Sequence, residues 1–317
     1  MENIEKKVKS ISGKLRIYGK GIVNFDGDIN DPINKSYFDK KQNINGKSEK
    51  NINYAKKNFY KDENGNLVHK VKISSNSIRH NLFKEAIPTQ NSKLFSNKET
   101  MYNFIASKDV ILRGFMYAEK DSKISPSKRK SCITCTDAEQ VSSNESYIEF
   151  YSTSGEKTKD GNKIHNKENI GDVVYEMDFN IDVKELQFLS VDSSNDRMMF
   201  NEDHYELFKK YMSLPNRLPD FNNPVDNYLL KTDVTSNVER GILLNQNQID
   251  TLVKYALELM YNFNIVRTNA FAKRDVLLIK PVYDCIDDNE NYIQINSKEN
   301  IKNLDFKYEN YYHVYGK

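Results

Sequence analysis

Tryptophan is absent from the chain, cysteine occurs three times and proline seven times, and 47 basic side chains stand against 45 acidic ones, so net charge is nearly missing too. Cys132, Cys135 and Cys285 are an odd, sparse set that cannot build a disulfide framework. Cys132 and Cys135 have the spacing of half a zinc site, but no second Cys or His pair completes a tetrahedral set, and no metal is expected. A formal charge of +2 gives no bulk-charge argument for a nucleic-acid partner, so an anion-binding surface has to come from local segregation of Lys and Arg. No stretch reaches the roughly eighteen apolar residues of a membrane helix, and MENIEKKVKSISGKLRIYGK holds no apolar run of signal-peptide length. A cytoplasmic protein without a membrane partner is the expectation. G-x-S-x-G, G-x-x-x-x-G-K and G-x-G-x-x-G are all lacking, and five histidines are scattered, so no cofactor is expected.

What is present suits a folded chain with a heavily polar surface: 38% hydrophobic and 29% charged residues, with 20 Tyr and 16 Phe. A length of 317 residues predicts one domain over 1–317 with long insertions. Residues 11 to 23 alternate, with Ile11, Leu15, Ile17 and Val23 on one parity and Lys14, Arg16, Tyr18 and Lys20 on the other. That predicts a strand with one apolar and one basic face. From Asn24 to about Asn66 the chain is too polar to bury much and reads as a surface insertion, extended to about 24–70. VKISSNSIRHNLFKEAIP predicts a short strand and then a helix capped near position 75, with Ile78, Leu82 and Ala86 as its buried stripe. SNKE at Ser96 is a capping box with Glu99, opening a helix that buries Met101, Phe104 and Ile105.

VILRGFMYA at 110 to 118 reads as a buried strand, followed by a polar insertion at 119–130. Residues 152 to 172 are a charged excursion rich in turn formers, a candidate hairpin projecting from a sheet. Val173, Tyr175, Met177, Phe179 and Ile181 alternate as a strand, and LQFLSV at 186 to 191 reads as another. Ile249, Leu252, Val253, Ala256, Leu257 and Met260 mark a helix over Asn247 to Asn262, with the strand DVLLI after it. Two strand–helix–strand halves predict an α+β fold with a split βαβ, ferredoxin-like core.

Several groups carry candidate chemistry. Lys14, Arg16 and Lys20 line one side of a sheet, suited to phosphates or simply to solvent. Ser74, Ser75 and Asn76 place donors at a helix start, with Arg79 and His80 one turn in; the same residues serve equally as caps. Lys128, Arg129 and Lys130, together with Lys163, His165 and Lys167 in the excursion, form basic patches suited to backbone contact or to solvation. Arg267, Lys273 and Arg274 bracket Phe271, joining charge to stacking. Asp26 and Asp28, in the loop after the first strand, are carboxylates placed for metal binding or general-base work, and equally for turns.

In order along the chain, ISGKLRIYGKGIVNFDG, VKISSNSIRHNLFKE, the RGF segment leading into KRKSCITCTDAEQ, NIGDVVYEMDFNIDVKELQFLSV and GILLNQNQIDTLVKYALELM resemble the Cas-seven backbone family, in its variant type I-F form. The resemblance implies an RRM-like palm with finger insertions and a thumb β-hairpin. It also implies copies assembled head to tail along a CRISPR RNA, other Cascade subunits as partners, and target DNA read by base pairing with the guide. Ser74, Ser75, Asn76, Arg79 and His80 then map to the helix start that touches the guide, and Arg113 joins the RNA-binding set. Residues 150–172 map to the thumb, with Ile164 and Ile170 as wedges where the guide is kinked. TNAFAKRD at 268 to 275 departs from the family's glycine-rich loop, leaving its role in binding to Arg267, Lys273 and Arg274. The expected role is non-catalytic. The alternative, by analogy with type III relatives, is RNA cleavage by Asp26 or Asp28.

Overall fold

The computed structural model describes residues 6–25, 52–84, 98–117, 127–158, 161–192, 198–219, 221, 228–232, 238–283 and 291–312. Alternation builds its central strand: β1 (Ser10–Lys20) buries Ile11, Leu15 and Ile17 and turns Lys14, Arg16, Tyr18 and Lys20 to the other face. There follow β2 (Ile52–Asn53), β3 (Lys57–Lys61), β4 (Leu67–Ile73), α1 (Ser75–Leu82), α2 (Lys98–Ile105), α3 (Lys108–Arg113), β5 (Phe115–Tyr117) and β6 (Ser127–Arg129). Next come β7 (Ile133–Cys135), β8 (Ala138–Ser143), β9 (Ser146–Thr158), β10 (Gly161–Ile170), β11 (Asp172–Asp182), α4 (Val183–Gln187) and β12 (Phe188–Ser190). The rest are α5 (Tyr205–Met212), β13 (Tyr228–Thr232), β14 (Val238–Leu243), α6 (Gln246–Tyr261), β15 (Asn264–Arg267), β16 (Ala270–Val282), β17 (Ile293–Gln294) and α7 (Lys298–Lys302).

A large antiparallel sheet runs in the order β15–β16–β1–β11–β8–β4–β3. Every residue of β1 pairs with β11, from Ser10 opposite Asp182 to Lys20 opposite Asp172. Gly13 sits mid-strand because a Cβ there would run into the Phe179 ring and the Leu278 carbonyl. The apolar face of this sheet meets α6, whose Ile249, Leu252, Val253, Ala256, Leu257 and Met260 are all buried in one core with Leu15, Met177 and Leu277. Asn245 and Gln248 close a capping box that starts α6 where the periodicity predicts a helix. Each Val, Leu, Ile or Met side chain so buried contributes about 2 kcal/mol.

Three local readings are corrected. Val110–Arg113 is not strand but the body of α3: Ser107 accepts from the Val110 amide at 3.3 Å, Gly114 ends the helix at φ 74°, and only Phe115–Tyr117 is extended. A short apolar run carries no period of its own, and the cap decides it. Leu186 and Gln187 likewise belong to α4, capped by Asp182, so the strand covers only Phe188–Ser190. The polar 24–66 segment contributes to the interior after all, burying Tyr54, Ala55 and Lys57, while β3 and β4 extend the main sheet. Helix α2 buries Tyr102 and Ile105, with Phe104 only packed against the core. Ser96, Ala86 and most of the 119–130 insertion lie outside the described residues. No described helix is long and apolar enough to cross a membrane.

Candidate nucleic-acid interface

The basic parity of β1 meets an acidic parity of β11. Lys14 Nζ lies 3.1 Å from Asp178 and 3.4 Å from Glu176, and Arg16 Nη2 lies 3.3 Å from Glu176. The Asp178 carboxylate, by hydrogen bonding, holds the Lys14 pKa above its ordinary value. Tyr18 donates to Asp172 at 2.7 Å, which raises the phenol's pKa. Lys14 and Arg16 therefore do not present a free cationic row, contrary to the expectation, because the register sets their counter-charges directly opposite. Lys20, at the end of the strand, is exposed.

At the start of α1, Ser74 accepts from the Ser77 amide at 3.4 Å and from Asn24 Nδ2 at 3.2 Å. The anion at this helix end is the chain's own: Asp137 accepts from the Ser75 amide at 2.8 Å and from Lys72 Nζ at 2.7 Å. Burial pushes the Asp137 carboxyl up, but these hydrogen bonds prevail and hold its pKa below the ordinary value. Ser74 and Ser75 thus serve as cap and carboxylate clasp, and Asn76 and His80 are exposed. One turn on, Arg79 Nη2 donates to the Arg113 carbonyl at 2.8 Å, and its Nε is buried without an acceptor. Burial, and then the Arg79 charge, push the Arg113 pKa down. Among the described residues no carboxylate pairs with either guanidinium.

The KRK run divides by strand parity. Arg129 is buried; it donates to the carbonyls of Ile111, Phe188 and Glu185 at 2.8, 2.9 and 2.7 Å and to Cys132 Sγ at 3.3 Å. Its assignment to RNA is corrected: this guanidinium ties α3, α4 and β12 together. Lys128 is half-buried, and Lys130 is exposed beside Glu185 at 3.1 Å. Cys132 is buried, and burial pushes the Cys135 thiol up to about 11. Among the described residues no group of three His, Cys, Asp or Glu side chains gathers as metal ligands.

The 152–172 excursion forms hairpin β9–β10, with Ile170 opposite Ser146 at its base and Gly161 opposite Thr158 at its far end. Lys163, His165 and Lys167 occupy alternate positions of β10, with Ile164 between the first two. Ile170 is corrected as a wedge, since it is 2% exposed and part of the core. Beside the hairpin base, a cleft of about 380 Å³ gathers Lys20, Tyr147, Asn169, Arg267 and Phe271. Tyr18 and Phe271 lie 5.8 Å apart between centroids, and Lys273 Nζ stands 5.6 Å from the Phe271 ring. Arg274 is withdrawn from this group: it stacks 4.1 Å over Tyr261 and donates to the Tyr261 carbonyl at 2.8 Å. Tyr147, half exposed at 52%, is a cleft residue that sequence reasoning missed, although its place at the foot of a predicted hairpin was a signal.

The model of the type I-Fv CRISPR-associated protein Cas7fv-like family matches residues 7–316. The chain belongs to this family. No curated protein matches the chain. Two solved structures are similar to it at 11% identity. One, a CRISPR RNA-guided surveillance complex, matches over 86% of this chain and 71% of that chain with a TM-score of 0.40. The other, a CRISPR RNA-guided surveillance complex in a pre-nicking state, matches over 87% and 77% with a TM-score of 0.39.

In the Cas7fv-like chain the candidate residues fall into groups according to what holds them. Lys14, Arg16, Arg129 and Arg274 are engaged within the protein. Lys20, Arg267, Phe271 and Lys273 converge at the hairpin base, and Arg79 and Arg113 adjoin one another at α1. Asp26 and Asp28 lie outside the described residues.

Proposed function

We propose that this Cas7fv-like chain grips its guide by the sugar–phosphate backbone at two stations, Arg79 with Arg113 beside α1, and Lys20, Arg267, Phe271 and Lys273 at the hairpin base. The chain is a CRISPR RNA-binding backbone subunit of a type I-F-like Cascade, with the guide, other copies of itself and the remaining subunits as partners. The observation that carries the proposed surface is the Arg79–Arg113 pair, two adjoining guanidiniums with no carboxylate on either among the described residues and one donor buried without an acceptor. Like charges held together without an internal counter-ion favour an external polyanion, and planar guanidiniums match phosphate oxygens.

Three further readings belong to the proposal. The strand order β16–β1–β11, with α1 and α6 as crossovers, supports an RRM-like palm within a single domain over 1–317. Hairpin β9–β10 is read as the thumb and the insertions near 24–70 as fingers. The subunit is read as structural rather than catalytic, and as cytoplasmic, holding guide bases free to pair with target DNA. The test is Arg79→Ala/Arg113→Ala in the assembled complex, measuring RNA retained against salt. Each phosphate that the chain no longer neutralises lowers the slope of log retention against log salt by about 1. A folded double variant with the wild-type slope refutes the station.

A further inference from the structure

We propose that the buried ion pair between Lys57 and Glu168 is a positioning device. It clamps the base of hairpin β9–β10 and sets the angle at which the hairpin leaves the main sheet, and with it the place where the guide bends. The second half of this statement rests on the thumb reading above; the clamp itself does not.

The hairpin continues the β8–β11 ribbon across a break. β8 and β11 pair as far as Val173 opposite Ser143, and β9 and β10 resume with Ile170 opposite Ser146, leaving Asn144 and Glu145 facing Gly171 and Asp172 between. A Cβ on Gly171 would come within 2.6 Å of the Asn144 side-chain amide nitrogen, so the two strands face each other closely at this point. The register is the same on both sides, so no residue is inserted, and the chain bends at Gly171. Three residues beyond the break, Lys57 Nζ lies 2.6 and 2.7 Å from the two Glu168 oxygens, with side chains 2% and 5% exposed. The Ala55 amide adds a third hydrogen bond to Glu168, at 3.0 Å.

The segment that supplies Lys57 is itself fastened to the sheet. Ala55 bridges Phe25, the Lys56 amide donates to the Asn24 carbonyl at 3.0 Å, and the Lys72 amide donates to the Lys56 carbonyl at 2.8 Å. Beyond the pair, β2 runs parallel to β10, with Ile52 beside Asn166 and Asn53 beside Lys167. The hairpin is thus held by a strap anchored in the palm. A buried pair contributes little net stability but tolerates one geometry, because either charge alone in that place is strongly unfavourable. Losing one partner forces the other toward water, and the break at Gly171 is where the hairpin yields.

The experiment uses the full-length chain with Glu168→Gln, Lys57→Met and the reversal Lys57→Glu/Glu168→Lys. In the assembled complex, acylation of guide 2′-hydroxyls reads bending as a periodic contrast; it is lost in both single variants, at unchanged RNA per subunit, and returns in the reversal. On the chain without RNA, hydrogen exchange of amides 166–170 accelerates about tenfold or more in the single variants and recovers in the reversal. Single variants with wild-type contrast and wild-type exchange overturn the proposal, as does a reversal that stays as loose as they are. Should the single variants fail to fold, Lys57→Arg keeps the charge on a differently shaped head: altered contrast and exchange support the clamp, and a wild-type pattern overturns it. A wild-type guide without periodic contrast strikes at the thumb reading alone, and exchange then decides the clamp.

Discussion

Arg129→Met removes a guanidinium from the interior while keeping most of its aliphatic stem. The bonds removed run from a charged donor to three main-chain carbonyls, at 2.8, 2.9 and 2.7 Å. Hydrogen bonds to a charged group contribute about 1.5–3 kcal/mol each, and the three carbonyls left behind lose that charged donor. Relief from desolvating the guanidinium, several kcal/mol, opposes this, so the expected net loss is about 3–5 kcal/mol. That is roughly a hundredfold to several thousandfold in the ratio of folded to unfolded chain. Urea unfolding followed by circular dichroism should show a lower midpoint at an unchanged slope. RNA retained per folded subunit should stay at the wild-type level. Lys130→Ala, one residue along, breaks only an exposed pair with Glu185, and its stability should change by less than about 1 kcal/mol. A stable Arg129→Met chain that has lost RNA would refute the reasoning and return Arg129 to the interface.

Gly114 ends α3 at φ 74° and ψ 164°, and a Cβ there would meet the Arg129 carbonyl, so Gly114→Ala should lower stability by about 2 kcal/mol or more in the same assay. Burial pushes the Tyr102 phenol up to about 12. An unfolded tyrosine loses its proton near pH 10, so above that pH the unfolded state binds fewer protons; stability intact below pH 10 falls by up to about 1.4 kcal/mol per pH unit from this group. Urea midpoints measured upward from pH 9 should decline, and Tyr102→Phe should lessen that slope.

Much of the fold was legible because periodicity is local. Alternation at 11–23 and 173–181 and the helical stripe at 249–260 each define a buried face from neighbouring residues alone, and the structure buries those faces. The hairpin was legible from its turn formers and charge. Helix α3 was not, because VILR is too short to show a period and its cap lies outside the apolar run.

By itself the sequence determined the strand and helix faces, the ordered segments that place the chain in the Cas7fv-like family, and the supply of cations near β1, α1 and the β15–β16 turn. Only the tertiary structure decided which cations are available. Lys14 meets Glu176 across 162 positions of chain, Arg129 reaches Phe188 across 59, and Lys57 closes on Glu168 across 111. The physical reason is that charge interaction and desolvation depend on distance through space and on exclusion of water, and neither quantity exists until strands have chosen their register.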